Sequence, residues 1–108
     1  MMTREFTLRT EYEGMYDVTA QLCQVIRESG VQSGIAAVYC PHTTAGITIN
    51  ENADPDVQHD LLLGLREAFP DRAAFRHGEG NSAAHLKSSC VGASQMVLIE
   101  DGRPLLGT

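Results

Sequence analysis

Residues 34–50 read GIAAVYCPHTTAGITIN, and the fold turns on how this stretch divides. Residues 34–40 form a continuous apolar run of strand length. It ends at Pro41, which has no N–H to give a ladder. Ile47 and Ile49 then fall on one face of a second short run, residues 46–50. Only PHTTA lies between the two runs, too short for a helix. A parallel βαβ unit needs a crossover of about a dozen residues or more. The two runs therefore pair with each other or make one bent strand. Either way the sequence predicts an α+β chain with a mixed sheet, and not a doubly wound parallel one.

The flanks agree with that class. Residues 4–12, REFTLRTEY, alternate, with Phe6, Leu8 and Thr10 on one side, which predicts a half-buried strand. Val18, Leu22, Val25 and Ile26 then repeat at helical spacing, with Asp17 as N-cap and Gly30 as the stop. Downstream, Asp54 as N-cap, Pro55 at the first helical position and Asp56 in the first turn open a second helix. Its buried stripe is Val57, Leu61, Leu62, Leu65 and Phe69, and Pro70 ends it. Asn81 caps a short third helix, SAAHLKSSC, that runs to Gly92. The closing SQMVLIEDGRPLLG reads as a hairpin turning at Asp101-Gly102. The predicted order is β-α-β-β-α-α-β-β, in one domain of 108 residues.

Bulk charge removes some functions. The chain carries a net charge of −6, with eight Lys and Arg residues scattered and never clustered. Nucleic acid and anionic membrane surfaces both call for a basic patch, so neither is an expected partner. Cys23, Cys40 and Cys90 are odd in number and far apart, which fits free thiols in a reducing compartment. No leader pattern and no apolar run of membrane-spanning length occurs, and a cytoplasmic protein is expected.

Chemistry concentrates in residues 77–85, HGEGNSAAH. Neutral imidazoles are the commonest protein ligands for zinc and similar metals. His77 in a loop can fold back onto His85 in the helix, because Gly78 and Gly80 permit positive φ. Glu79 can ligate, orient a histidine or act as a base, and the helix start at Asn81 offers free N–H groups to an anion. The competing reading is a capped loop with ordinary histidines. Residues 41–60 form a second polar cluster: His42, Thr43 and Thr44 at a strand end, then Asn50, Glu51, Asp54 and Asp56 leading into a helix. Asp54 and Asp56 are explained by capping, and His59 lies on the solvent face. His42 follows an apolar strand and is expected to be partly buried. With His77 and His85 it would complete a three-imidazole set that leaves one metal position open.

HTTAGITINENADPDV, HGEGNSAAHLKSS and the closing DGRPLLGT, in that order, resemble the YjbQ-like family over essentially the whole chain. The resemblance implies a small cytoplasmic protein that assembles as a homotrimer. It implies a mixed β-sheet pseudo-barrel capped by helices, and a histidine-lined, metal-capable pocket. It also implies a weak thiamine-phosphate synthase activity, which joins a pyrimidine methyl pyrophosphate to a thiazole phosphate with loss of pyrophosphate. Carried onto this chain, the metal ligands are His42, His77 and His85. Glu51 and Glu79 are the catalytic candidates, and Thr43, Thr44, Asn81 and Lys87 would hold the phosphorylated substrate. A three-histidine set suits zinc, with magnesium, the usual pyrophosphate companion, second. Family members continue past the position of Thr108 with a further strand and a basic tail, so this chain is expected to lack the usual C-terminal strand. Metal-dependent hydrolysis and a trimeric, non-catalytic ligand- or metal-binding regulatory module are the alternatives.

Overall fold

The structure, a computed structural model, describes residues 2–107. It is an α+β chain with three helices and a small antiparallel sheet. The elements in order are α1 (Thr19–Ser29), β1 (Ser33–Tyr39), α2 (Pro55–Ala68), α3 (Ser82–Val91), β2 (Ser94–Glu100) and β3 (Arg103–Pro104). The strand order in the sheet is β1-β2-β3.

Local capping chemistry sets the start of α2 and the end of α1, whereas the N-cap of α1 is Val18 and not Asp17 as expected. Asp17 accepts the Thr19 N–H at 2.8 Å, and Gly30 closes α1 in the left-handed region at φ 71°. Asp54 accepts the Asp56 N–H at 2.9 Å, with Pro55 opening α2. The five apolar residues expected to line α2 are all half-buried, whereas Leu63 beside them is exposed. β2 and β3 form the expected hairpin. Asp101 and Gly102 both take positive φ, 52° and 72°, the pattern of a two-residue turn matched to strand twist. Ile99 lies opposite Pro104 and Glu100 opposite Arg103, and the Leu105 N–H donates to the Leu98 carbonyl at 2.7 Å.

Two expected strands are not strands here. Residues 4–12 belong to no ladder, and Phe6 and Leu8 are exposed. Alternation specifies which side chains share a face, but a strand also needs a neighbouring backbone. Residues 46–50 likewise form no strand, although the Ile47 N–H donates to the Gly92 carbonyl at 2.9 Å.

The chain divides into two compact units. The first, residues 1–36 and 96–107, contains α1, the start of β1, most of β2, and β3. Here α1 packs on β3, and Ile26, Val97 and Ile99 are buried. Val97 and Ile99 alternate along β2, so both side chains leave the same face. The second unit, residues 37–95, contains the rest of β1, α2, α3 and the loops between them. No helix among the described residues is long and apolar enough to cross a membrane.

Candidate functional site

All the histidines lie in the second unit, and α3 organises two of them. The Gly80 N–H donates to the His77 carbonyl at 3.1 Å, which folds the loop into a turn ahead of the helix. Gly80 takes φ 74°, a conformation in which a side chain is strained. Asn81 follows, and its carbonyl accepts from the Ala84 and His85 N–H groups at 3.1 and 3.3 Å. The result sets His77 against His85, ring centroids 5.3 Å apart and planes at 85°. His85 is half-buried, and His77 is exposed.

Asn81 departs from expectation. Its side chain makes no capping hydrogen bond, and its Oδ1 is buried without a partner among the described residues. A buried acceptor left unpaired costs about 1–3 kcal/mol. An amide at a helix start could recover that by bonding a free N–H of the first turn. It is instead held away from that role.

The 42–47 segment reaches α3 and the start of β2 through side chains that the sequence pattern did not single out. Ser88 Oγ donates to the Ala45 carbonyl at 2.6 Å, and Gln95 Nε2 donates to the Ile47 carbonyl at 3.0 Å. Gly46 makes the approach possible. A Cβ there would lie 2.8 Å from Val91 Cγ1 and 3.1 Å from the Gly92 carbonyl oxygen. A glycine facing the end of a helix is the only sequence signal that pointed to this contact.

His42 stands at the head of that segment and is exposed, not partly buried as expected. The apolar run before it ends with Cys40, whose N–H donates to the Ala93 carbonyl at 2.8 Å, and the chain then turns outward. The His42 ring is engaged by its own turn, with Nδ1 3.2 Å from the Thr44 N and 3.0 Å from Thr44 Oγ1. Among the described residues no group of three or more His, Cys, Asp or Glu is placed to hold a metal ion. The expected convergence of three imidazoles is thus present as one pair, His77 and His85, with His42 turned onto Thr44.

The remaining candidates are spread out. Glu79 lies in the exposed turn between the paired histidines. Glu51 is exposed, with its N–H donating to Asn50 Oδ1 at 2.7 Å. Thr43 is exposed, and Thr44 and Lys87 are half-buried. Asn52 and Gln58 hydrogen-bond across the entry to α2. His59 faces solvent and contacts Asp60 at 2.9 Å, as its position on the helix predicts.

Comparison with known proteins places these features in context. A profile of the UPF0047 protein YjbQ-like family matches residues 4–108. The UPF0047 protein YugU of Bacillus subtilis is 55% identical over 100 residues, covering 92% of this chain and 76% of that protein. A UPF0047 protein of Methanocaldococcus jannaschii is 56% identical over 96 residues, 89% of this chain and 70% of its own. Among solved structures, a YjbQ/UPF0047 family protein of Clostridium acetobutylicum superposes with a TM-score of 0.94 at 50% identity. That match covers 98% of this chain and 83% of the other. A YbjQ-like protein of unknown function from Sulfolobus solfataricus gives a TM-score of 0.86 at 27% identity, covering 94% and 75%.

Proposed function

The chain belongs to the UPF0047 YjbQ-like family, and from that premise we propose that the head of α3 is a binding site for a phosphorylated small molecule, served by a divalent metal ion. The observation that carries this reading is the His77–His85 ring contact, with Asn81, whose buried Oδ1 has no hydrogen-bond partner among the described residues, between the two histidines in sequence. Two ordinary histidines leave that orphaned acceptor unexplained. A ligand that bonds Asn81 explains it.

Two imidazoles bound to one tetrahedral ion at about 2.0–2.1 Å have ring centroids roughly 5 Å apart, and the observed spacing is 5.3 Å. An ordinary edge-to-face ring contact gives the same spacing, so the distance supports a shared ion without singling it out. His42 fits conditionally. With its proton on Nδ1 the ring donates to Thr44 Oγ1 and leaves the Nε2 lone pair free. With its proton on Nε2 the ring accepts from the Thr44 N–H instead. In this reading Thr44 sets the tautomer, and His42 closes on the pair only in the first form. Zinc suits such a set, with magnesium as the second choice.

The activity we propose is weak thiamine-phosphate synthase-like transfer. A carbon–nitrogen bond forms to the thiazole phosphate as the carbon–oxygen bond to pyrophosphate breaks. A bound cation supplies positive charge against the leaving group. The chain's own residues do the rest. N–H groups after Gly80 and the Lys87 ammonium stabilise departing phosphate oxygens, Thr43 and Thr44 position the ligand, and Asn81 accepts from it. Alkylation of the ring nitrogen releases no proton, so Glu51 or Glu79 acts as a base only in the hydrolytic alternative, where it takes a proton from the attacking water. Both glutamates are exposed, which favours slow turnover and supports a non-catalytic binding module as the second reading.

A homotrimer in the cytoplasm completes the proposal. Three free cysteines suit a reducing compartment, and apolar side chains on the open face of the sheet suit burial between copies. The test is metal analysis of stripped protein reloaded with zinc, followed by turnover of the two phosphorylated substrates. Stoichiometric zinc that is lost in His77→Ala and His85→Ala, together with product formation lost in the same variants, is the expected result. Tight ligand binding without product selects the binding module. Absence of zinc and ligand from wild type rejects both.

A further inference from the structure

The first unit contains a groove of about 640 Å³ that the histidine site does not use. It is bounded by α1 and by the turn between β2 and β3, and two arginines, Arg27 and Arg103, are among its lining residues. Neither side chain has an ion pair or hydrogen bond among the described residues, in a chain with net charge −6. Asp101 also lines the groove, yet it pairs with neither arginine. Arg27 occupies the last turn of α1, where the helix dipole favours a cation even without an acidic partner.

The turn fixes the rest of the lining. The Gly102 N–H donates to the Gln32 carbonyl at 3.0 Å. The Gln32 amide nitrogen lies 3.1 Å from where a Cβ on Gly102 would be, and the positive φ at Gly102 strains any side chain there. Gly102 at φ 72° and Asp101 at φ 52° thereby place a free amide and a carboxylate beside the two cations. Ile26 and Pro104 supply an apolar wall.

We propose that this groove binds a small hydroxylated phosphate monoester, independently of the histidine site. Two planar guanidinium forks match the paired oxygens of a phosphate. One carboxylate on the turn accepts from an alcohol hydroxyl on the ligand's carbon skeleton, which inorganic phosphate lacks. The apolar wall covers the carbon skeleton.

Titration of the folded protein with glycerol phosphate, followed by amide NMR, tests this directly, with inorganic phosphate and glycerol as separate arms. Shifts are expected at Gly102 and Arg103. R27Q and R103Q should each weaken binding about tenfold or more. D101N, which keeps a residue tolerant of positive φ, should weaken glycerol phosphate and leave inorganic phosphate unchanged. His77→Ala should bind glycerol phosphate like wild type, which separates this groove from the histidine reading. Thermal melts confirm that each variant is folded, and R27K, which keeps the charge but loses the fork, serves where R27Q is not. The proposal is overturned if both arginine variants bind as wild type does, or if the shifts cluster around His85 and vanish in His77→Ala.

Discussion

Asn81 is the residue whose chemistry is out of balance. At a helix start, replacing Asn by Ala ordinarily costs about 1 kcal/mol, because a capping bond is lost. No such bond exists here, and Oδ1 is buried with nothing to accept from. Removing it deletes a desolvation penalty of about 1–3 kcal/mol. Asn81→Ala should therefore melt at or above the wild-type temperature while affinity for the phosphorylated ligand falls about tenfold, since Oδ1 is proposed to accept from it. Scanning calorimetry and a titration with the phosphorylated substrates on the same preparations read the two effects. A drop in melting temperature of ordinary capping size would mean that the side chain is a cap after all, and the site would lose its main support. The sequence marked Asn81 correctly as special and assigned it the wrong bond. Residue type indicates that an amide has somewhere to go, not which of two neighbours it chooses.

Among the elements, what could be read from the sequence was what depends on local chemistry. Asp54, Pro55 and Asp56 open α2, Gly30 closes α1, and Asp101-Gly102 turns the hairpin, each through contacts within a few residues. Contacts made across the chain were not legible in the same way. Residues 46–50 have the alternation of a strand, yet Ile47 is held by Gln95 and the Gly92 carbonyl and the preceding Ala45 by Ser88, all more than forty positions away. The HGEGN turn was legible because its glycine and both histidines are sequence neighbours, and His42 was not, because its ring answers to Thr44. Gly46 tests whether the distant contact matters. In Gly46→Ala the new methyl would meet Val91 Cγ1 at 2.8 Å and the Gly92 carbonyl at 3.1 Å. The side chain can yield, but the helix-end carbonyl cannot move cheaply. Overpacking of this kind costs about 1–3 kcal/mol. Urea denaturation should show that loss, and adding Val91→Ala should restore only part of it, since the carbonyl clash remains. Full recovery in the double variant would assign the strain to Val91 alone, and no loss in the single one would mean the segment is not held against α3.

For the whole molecule, the decisive quantity is area. The chain exposes 8349 Å², whereas a folded monomer of 11.7 kDa is expected to expose about 5,900 Å². Apolar side chains contribute to the surplus: Ile35, Met96, Leu98 and Leu105, all in the first unit, are each at least half exposed. Met96 and Leu98 alternate with the buried Val97 and Ile99, so one face of β2 is packed and the other is open. Leaving such a face in water forfeits about 25 cal/mol per Å² of apolar area. A partner that covers it recovers that free energy, and an obligate interface of about 1,000 Å² or more per protomer is of the right size to absorb the surplus. The proposed homotrimer makes a definite prediction on this basis. Light scattering coupled to size exclusion should give three times the mass of the chain. Leu98→Glu, which places a charge on the open face without touching the buried one, should shift that mass to the monomer and lower the melting temperature. The partner of a buried surface cannot be dispensable, so the two effects should appear together. A wild-type protein that runs as a monomer at every concentration, or a Leu98→Glu variant that remains trimeric, would show that this face is not where the copies meet.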